Sequence, residues 1–451
     1  MLAADAGRGY RLMLAAPPAA EPKAYEHAPI AEMRAITLAG SLEFTRDGKH
    51  LGFYSALRSP LEFWKIPLDG GEPREMLQGS DIQGARSVFT WMPDGLRIVA
   101  GRSIGLRGIN SIDLRSHEMR AITPAGVDWD GDPALSPDGR TLAFVKGENA
   151  YDVVEVPLDG SPQRDVIATS RNEVAPTQAP DGMHFAYGTD RSGSQEIWLR
   201  DRRDGSERLI VSTRDFEDGS DAFQDCEISP DGRRIAYRRT HANMPEIWIS
   251  SLSGDTPVRL FDDPSKAPQR GPSWSPDGNW IAYYSEVQGK TAVVKTRVGS
   301  NVVELVRLVA KQAPVRWSPR GDWIAWDDGG KLNLASPDGK QVRTVSGKAW
   351  YTYGWSKDGT ALYGITLGEG RSLIVGRIDL QTGRETRVVD LGAAPASVDF
   401  GERQGNFPYR GFSMHPDGKS FLTSVLRVKG DVWLLENFDR PPDWWGRILR
   451  N

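Results

Sequence analysis

Nine side chains able to meet a polar ligand recur at one place in a repeating unit. Arg86, Asp130, Asp132, Glu173, Asp225, Arg270, Gln312, Tyr351 and Arg410 each stand seven to nine residues before a glycine that closes a tight turn. If the repeats surround a common axis, these positions form a mixed acidic and basic rim. Such a rim suits a peptide or a small polar ligand better than a lipid, and a solvated channel mouth is the plain alternative. Four of the nine are carboxylates, Asp130, Asp132, Glu173 and Asp225. A pair of them could serve acid–base or metal chemistry, as in a glycan lyase, glycosidase or lactonase. No residue is assigned a catalytic role from the sequence.

The other polar clusters say less. Residues 127–132 offer Asp128, Asp130 and Asp132, and residues 213–221 offer Asp215, Glu217, Asp218 and Asp221. Oxygen clusters of this kind suit Ca²⁺, yet neither has the spacing or the terminal Glu of the twelve-residue calcium loop. The six histidines, His27, His50, His117, His184, His241 and His415, show no H-E-x-x-H spacing. There is no G-x-S-x-G elbow and no phosphate-binding G-x-x-x-x-G-K-[ST] loop. The expectation is a protein with no metal and no cofactor. The single cysteine, Cys226, excludes an intrachain disulfide.

What must position the rim is a repeat. Trp274-Ser275-Pro276-Asp277-Gly278-Asn279-Trp280-Ile281-Ala282-Tyr283 reads as a strand, a Pro-Asp-Gly turn and a second strand. The unit recurs with glycines at 48, 95, 139, 182, 232, 278, 321, 359 and 418. A period in the low to middle forties holds about four short strands, the length of one propeller blade. A second hairpin follows each turn, as at Glu196-Ile197-Trp198-Leu199 and Arg208-Leu209-Ile210-Val211. The repeated Asp is read as a local turn residue, since Arg320 replaces it in one repeat. Trp91, Trp274, Trp317 and Trp355 occupy one motif position and are read as inter-blade core.

The W-S-P-D-G-x-x-I-A-[YF] pattern resembles the TolB-type (PD40, WD40-like) β-propeller repeat over about residues 34–438. The resemblance implies an all-β, closed propeller of four-stranded antiparallel blades. The motif count gives nine blades, with eight as the alternative. Residues 34–40 look like a lone outer strand, expected to complete the blade of the last repeat and remove an exposed edge. The propeller is assigned to 34–440. The tail 441–451, with Trp444 and Trp445, is expected to pack on it.

Residues 1–33 lie outside the repeats. Gly7-Arg8-Gly9-Tyr10-Arg11-Leu12 resembles the last strand of an OmpR/CadC-type winged-helix domain, and the Pro/Ala-rich stretch 17–30 resembles a linker. That implies a chain beginning inside a bacterial regulator. The propeller is then its non-enzymatic sensory or interaction part, placed in the cytoplasm. TolB and similar propellers are periplasmic, so a periplasmic scaffold is the alternative. A net charge of −4 gives no basic surface for nucleic acid. No run of 18 apolar residues occurs. The expected partner is a protein, a peptide or a small polar ligand bound to a monomer.

Overall fold

A computed structural model describes residues 2–5, 9–15, 20–28, 30, 38–55, 62–78, 85–102, 108–124, 129–217, 222–242, 244–261, 267–310, 314–328, 330–369, 372–393 and 409–439. The chain forms two compact units, one of Met1–Asn149 with Val428–Asn451 and one of Ala150–Arg427. Both are built of β-strands, and Thr213–Asp215 forms a 3₁₀ turn.

Every one of the nine motif glycines closes the hairpin between the first two strands of a sheet. Their φ values are positive, from 63° at Gly95 to 79° at Gly321, where a side chain is disfavoured. The turn is held by its own side chains. Ser136 Oγ donates to Asp138 at 2.6 Å, and the same hydroxyl accepts from Thr141 N at 2.9 Å. Ser356 and Asp358 repeat the arrangement, and Thr45 with Asp47 does so with a threonine. In the repeat where Arg320 replaces the acid, Ser318 donates to Asp322 instead, at 2.7 Å. The local role expected of the repeated Asp is what the geometry shows.

Six motif sheets close a ring in the second unit. Five are contiguous in sequence. The first is Glu173–Gln178, His184–Thr189, Glu196–Asp201 and Glu207–Val211, and the second is Ala222–Ile228, Arg234–His241, Met244–Ser251 and Val258–Arg259. The third is Arg270–Trp274, Trp280–Val287, Lys290–Arg297 and Val303–Leu308. The fourth is Arg316–Trp317, Ile324–Asp327, Leu332–Ala335 and Val342–Ser346, and the fifth is Trp350–Trp355, Ala361–Leu367, Ser372–Asp379 and Glu385–Ala393. The sixth blade is composite. Tyr409–Met414 pairs with 421–425, and Ser420 donates to Glu155 at 2.7 Å while Leu158 N donates to Lys419 O at 2.8 Å. Residues 153–155 then pair with 164–167.

The motif's I-A-Y strand explains how the blades stack. Side chains alternate across a strand, so neighbours face opposite layers. Ile235 and Tyr237 enter one inter-blade core while Ala236 enters the next. Ile281 and Tyr283 share that next core with Ala236, and Ala282 faces the one after it. A large pair on one face and a small residue on the other let each blade seat against its neighbour. The motif tryptophans lie in these layers, as expected. Trp274 Nε1 donates to Glu227 O and Trp355 Nε1 to Arg316 O, each at 3.0 Å. Val153 and Leu422 of the composite blade pack with Phe185 and Tyr187, while Val154 and Phe421 pack with Ile365 and Val375. The ring is thereby complete.

The other three motif sheets belong to the first unit. They begin at Leu38–Phe44, Ala85–Trp91 and Trp129–Leu135. The first two are four-stranded, and Trp91 Nε1 donates to Glu43 O at 3.0 Å, as in the ring. Leu12, Tyr25 and Ile30 pack on Leu51, Phe53, Trp64 and Ile66, so described parts of 1–33 cover the first blade. The expected closure is corrected here. Leu38–Phe44 pairs with its own neighbour, Leu42 opposite Phe53 and Phe44 opposite Leu51, and is the inner strand of its own blade. The last motif's blade is completed by residues 150–167, so exchange of distant segments does close a ring, with a different segment and around six blades. The tail 441–451 and the segment 394–408 lie outside the described residues.

Candidate binding channel of the second unit

The inner strands of the ring are bent at a fixed place. Pairing shifts register between Val174 and Thr177, Gln224 and Glu227, Arg270 and Ser273, and Arg410 and Ser413. The residue seven before each motif glycine there has a left-handed backbone: Ala175 (φ 51°), Asp225 (54°), Gly271 (62°) and Gly411 (77°). A bulge turns the strand and re-aims its flanking side chains. Gly411 is required twice over, because a Cβ would stand 3.1 Å from Ala175 Cα. Asp225 holds the same conformation at a steric cost, which the surrounding sheet imposes.

These bends open onto a cavity of about 850 Å³ lined by all six blades. Its charged lining includes Asp225, Glu227, Arg238, Arg270, Arg316 and Arg410, with Lys357 and His415 also present. Arginine outnumbers carboxylate. Arg238 Nε lies 3.1 Å from Asp225 Oδ2, and its guanidinium also bonds the Gln224 side chain. Arg410 lies over the Tyr151 ring, 4.4 Å from its centroid. Arg316 donates to Val315 O at 2.8 Å and has no carboxylate at ion-pair distance among the described residues. Glu227 accepts from Ser273 Oγ and Trp274 N, both at 3.3 Å. Burial pushes its carboxyl up to about 7, against the pull of Arg316. Burial likewise pushes the Cys226 thiol up to about 12, and its Sγ contacts Ala175 O at 3.3 Å. Three buried polar atoms of lining residues have no partner among the described residues: Gln178 Nε2, Trp317 Nε1 and Thr352 Oγ1. Two of these are donors only.

Of the nine rim candidates, Asp225, Arg270, Tyr351 and Arg410 line this cavity. Glu173 enters the same inner-strand level but is 1% exposed and turned inward, where Thr169 Oγ1 donates to it at 2.7 Å. Burial, with nearby Asp152, pushes its carboxyl up to about 7. Arg86, Asp130 and Asp132 belong to the first unit. Asp130 is buried and accepts from Thr123 Oγ1 at 2.6 Å, Asp132 has the left-handed bulge backbone, and Arg86 stands on the strand Ala85–Trp91. Gln312 lies outside the described residues. The sequence reading missed Glu227, Arg238 and Arg316. Glu227 and Arg316 lie five residues before a motif glycine, where Thr177, Ser273 and Ser413 also stand. The Thr177, Glu227, Ser273 and Ser413 side chains accept backbone N–H bonds from the next blade: Ile228 to Thr177, Trp274 to Glu227, Trp317 to Ser273 and Gln178 to Ser413. Aligning that position across repeats was the available signal.

In the 213–221 loop, Asp215 Oδ2 accepts from Ser212 N at 2.6 Å and caps a 3₁₀ turn. Asp128 and the stretch 218–221 lie outside the described residues. Among the described residues no group of three or more His, Cys, Asp or Glu has metal-holding geometry. No described helix is long and apolar enough to cross a membrane.

A family model described as the TolB β-propeller domain (PD40) matches residues 145–346. A Tol-Pal system protein TolB of Anaeromyxobacter dehalogenans is 28% identical over 177 residues, 39% of this chain and 38% of that protein. A TolB homolog of Chlorobium luteolum is 25% identical over 162 residues, 36% of each chain. The chain thus spans well under half the length of these relatives. A solved structure of a TolB from Agrobacterium tumefaciens superposes with a TM-score of 0.50 at 17% identity, over 61% of this chain and 98% of that one. The TolB-type β-propeller match at residues 145–346 agrees with the repeat pattern. One expectation gains no support and another is corrected. The winged-helix resemblance gains no support, since the family match lies at residues 145–346, away from Gly7–Leu12. The regulator reading and the cytoplasmic placement rested on it. The match to Tol-Pal system proteins overturns that placement and favours the periplasmic scaffold reading.

Proposed function

We propose that this protein is a TolB-like periplasmic binding scaffold whose ring channel takes an extended, acceptor-rich segment of a protein partner. Asp225, Arg270, Tyr351 and Arg410 of the predicted rim, with Arg238 and Arg316, form its recognition surface. The observation that carries the reading is the donor excess of the channel. Four guanidinium groups face two carboxylates, one of them pushed toward its neutral form, and the buried donors Gln178 Nε2 and Trp317 Nε1 have no described partner. Peptide carbonyls and carboxylates are the groups that satisfy such donors. The likeness to Tol-Pal system proteins supports a protein partner rather than a small substrate.

The test is fluorescence polarisation with a labelled Asp/Glu-rich octapeptide and its Lys counterpart. The acidic peptide is expected to bind and to weaken with added salt. Arg316→Ala is expected to cost about tenfold or more, in keeping with a charge-assisted contact. Equal binding of the basic peptide, or an unchanged affinity in Arg316→Ala, would overturn the reading.

A further inference from the structure

The last described strand of the first unit is an open edge with an apolar centre. Residues 428–436 run beside the strand that contains 141–147, and Asn437 N donates to Arg140 O at 2.8 Å. On their other side no described strand pairs with 431–436. The sequence there is Asp-Val-Trp-Leu-Leu-Glu. Val432 is 73%, Trp433 52% and Leu434 67% exposed. Trp433 is met from the neighbouring strand by Lys146, whose Nζ lies 5.4 Å from the ring centroid.

Sheet edges are normally blunted by charge, proline or brevity, because an open row of N–H and C=O groups templates further pairing. The other described blades follow that rule. Their eight outermost strands each contain an arginine: Arg74, Arg120, Arg164, Arg208, Arg259, Arg307, Arg343 and Arg387. The 431–436 edge contains no basic residue and no proline. It is also held in place. Leu435 and Phe438 pack against the cluster of Met92, Val99 and Phe144, and Asp439 accepts two bonds from Arg97, at 2.6 and 2.9 Å. A fixed, apolar, unpaired strand has little ordering left to lose when a partner adds to it.

Its charges say which partner. Acidic residues stand at both ends, Asp431 and Glu436. Antiparallel pairing with a second copy, centred on Trp433 and Leu434, would place Asp431 opposite Glu436. Parallel in-register pairing would place each acid opposite itself. Like charges directly across a ladder are destabilising. We infer that 431–436 is a β-augmentation site for an extended segment of another protein, with an apolar β-branched or aromatic centre flanked by lysine or arginine.

The test uses the full chain and a labelled peptide, Lys-Lys-Val-Tyr-Val-Ile-Arg-Lys. Three comparisons are made: a peptide with its basic flanks changed to Glu, one with alternate amides N-methylated, and the Val432→Lys/Leu434→Lys double variant. Saturable polarisation is expected for the parent peptide, with at least tenfold weaker binding to both altered peptides. The double variant is expected to lose binding while its melting midpoint stays within about 2 °C of the parent's, as for surface changes. Several results would overturn the inference. One is no saturation by the parent peptide. Another is equal binding of the N-methylated peptide, which would mean apolar adhesion without strand pairing. A concentration-dependent dimer abolished by the double variant would assign the edge to a second copy. Binding that arises only when residues 441–451 are deleted would assign it to the chain's own tail.

Discussion

The same turn motif ends in two different ways in this molecule. In the second unit the blade of the last motif receives its outer strands from residues 150–167, and six sheets close on themselves. In the first unit the blade that begins at Trp129 receives residues 428–436 as its third strand, and no described fourth strand follows. The local chemistry is shared. Serine or threonine pairs with aspartate in both units, as Thr45 with Asp47 and Ser356 with Asp358, and the motif tryptophan donates to the preceding blade in both, through Trp91 in one and Trp274 in the other. The comparison teaches that the motif specifies a blade and its neighbour contact. It does not specify how many blades close.

The largest effect should come from the ring's packing. Trp350 is buried in the cluster of Leu334, Tyr353 and Leu362, and Trp350→Ala should cost about 3–5 kcal/mol. If the ring unfolds as one body, hydrogen exchange should accelerate in peptides throughout 150–427 while protection in 38–147 holds. Acceleration confined to the blades that hold Trp350 would show that closure adds no cooperativity and would remove the contrast between the units.

A smaller, pH-dependent effect belongs to Glu173. Its folded carboxyl, at about 7, lies above its ordinary value, so burial favours the protonated form. Stability from this group is therefore present at low pH and lost as pH rises from about 4.5 to 7. Asp152 and Asp190 oppose its ionisation and Arg191 favours it. Glu173→Gln should leave the urea midpoint at pH 4.5 almost unchanged and gain roughly 1–3 kcal/mol at pH 8. An equal change at both pH values would mean that the group is not shifted.

The smallest effect sharpens the likeness. Ser229 and Thr45 hold equivalent turns in the two units, accepting from Arg234 N at 2.9 Å and His50 N at 3.0 Å. Ser229→Ala and Thr45→Ala should each cost about 1 kcal/mol by denaturant titration. A large difference between them would show that the turn depends on its unit after all.

Much was legible in the residues. Nine turns, the second-strand I-A-Y pattern and the tryptophan position rest on interactions within a few residues or with the adjacent repeat, so their spacing reports them. The channel was half legible. Asp225, Arg270, Tyr351 and Arg410 were reached by counting back from the motif glycine. Arg238 escaped because it lies on a second strand, and Glu227 and Arg316 because their position also serves the inter-blade backbone. Glu173 was counted into the rim although its side chain is buried beside it. Period-two alternation shows which residues share a face, but it does not show on which side of a bulge the face turns.

The sequence by itself determined the all-β class, the blade as the unit, the turn chemistry and the family likeness, because each is written in short-range spacing. Only the tertiary structure decided that six blades close a ring, that 150–167 completes it, and that 431–436 is left as an edge. Those outcomes depend on which distant segments find each other. Any strand with alternating apolar residues can complete a blade, so competition among segments settles the matter, and no single stretch of residues records the result.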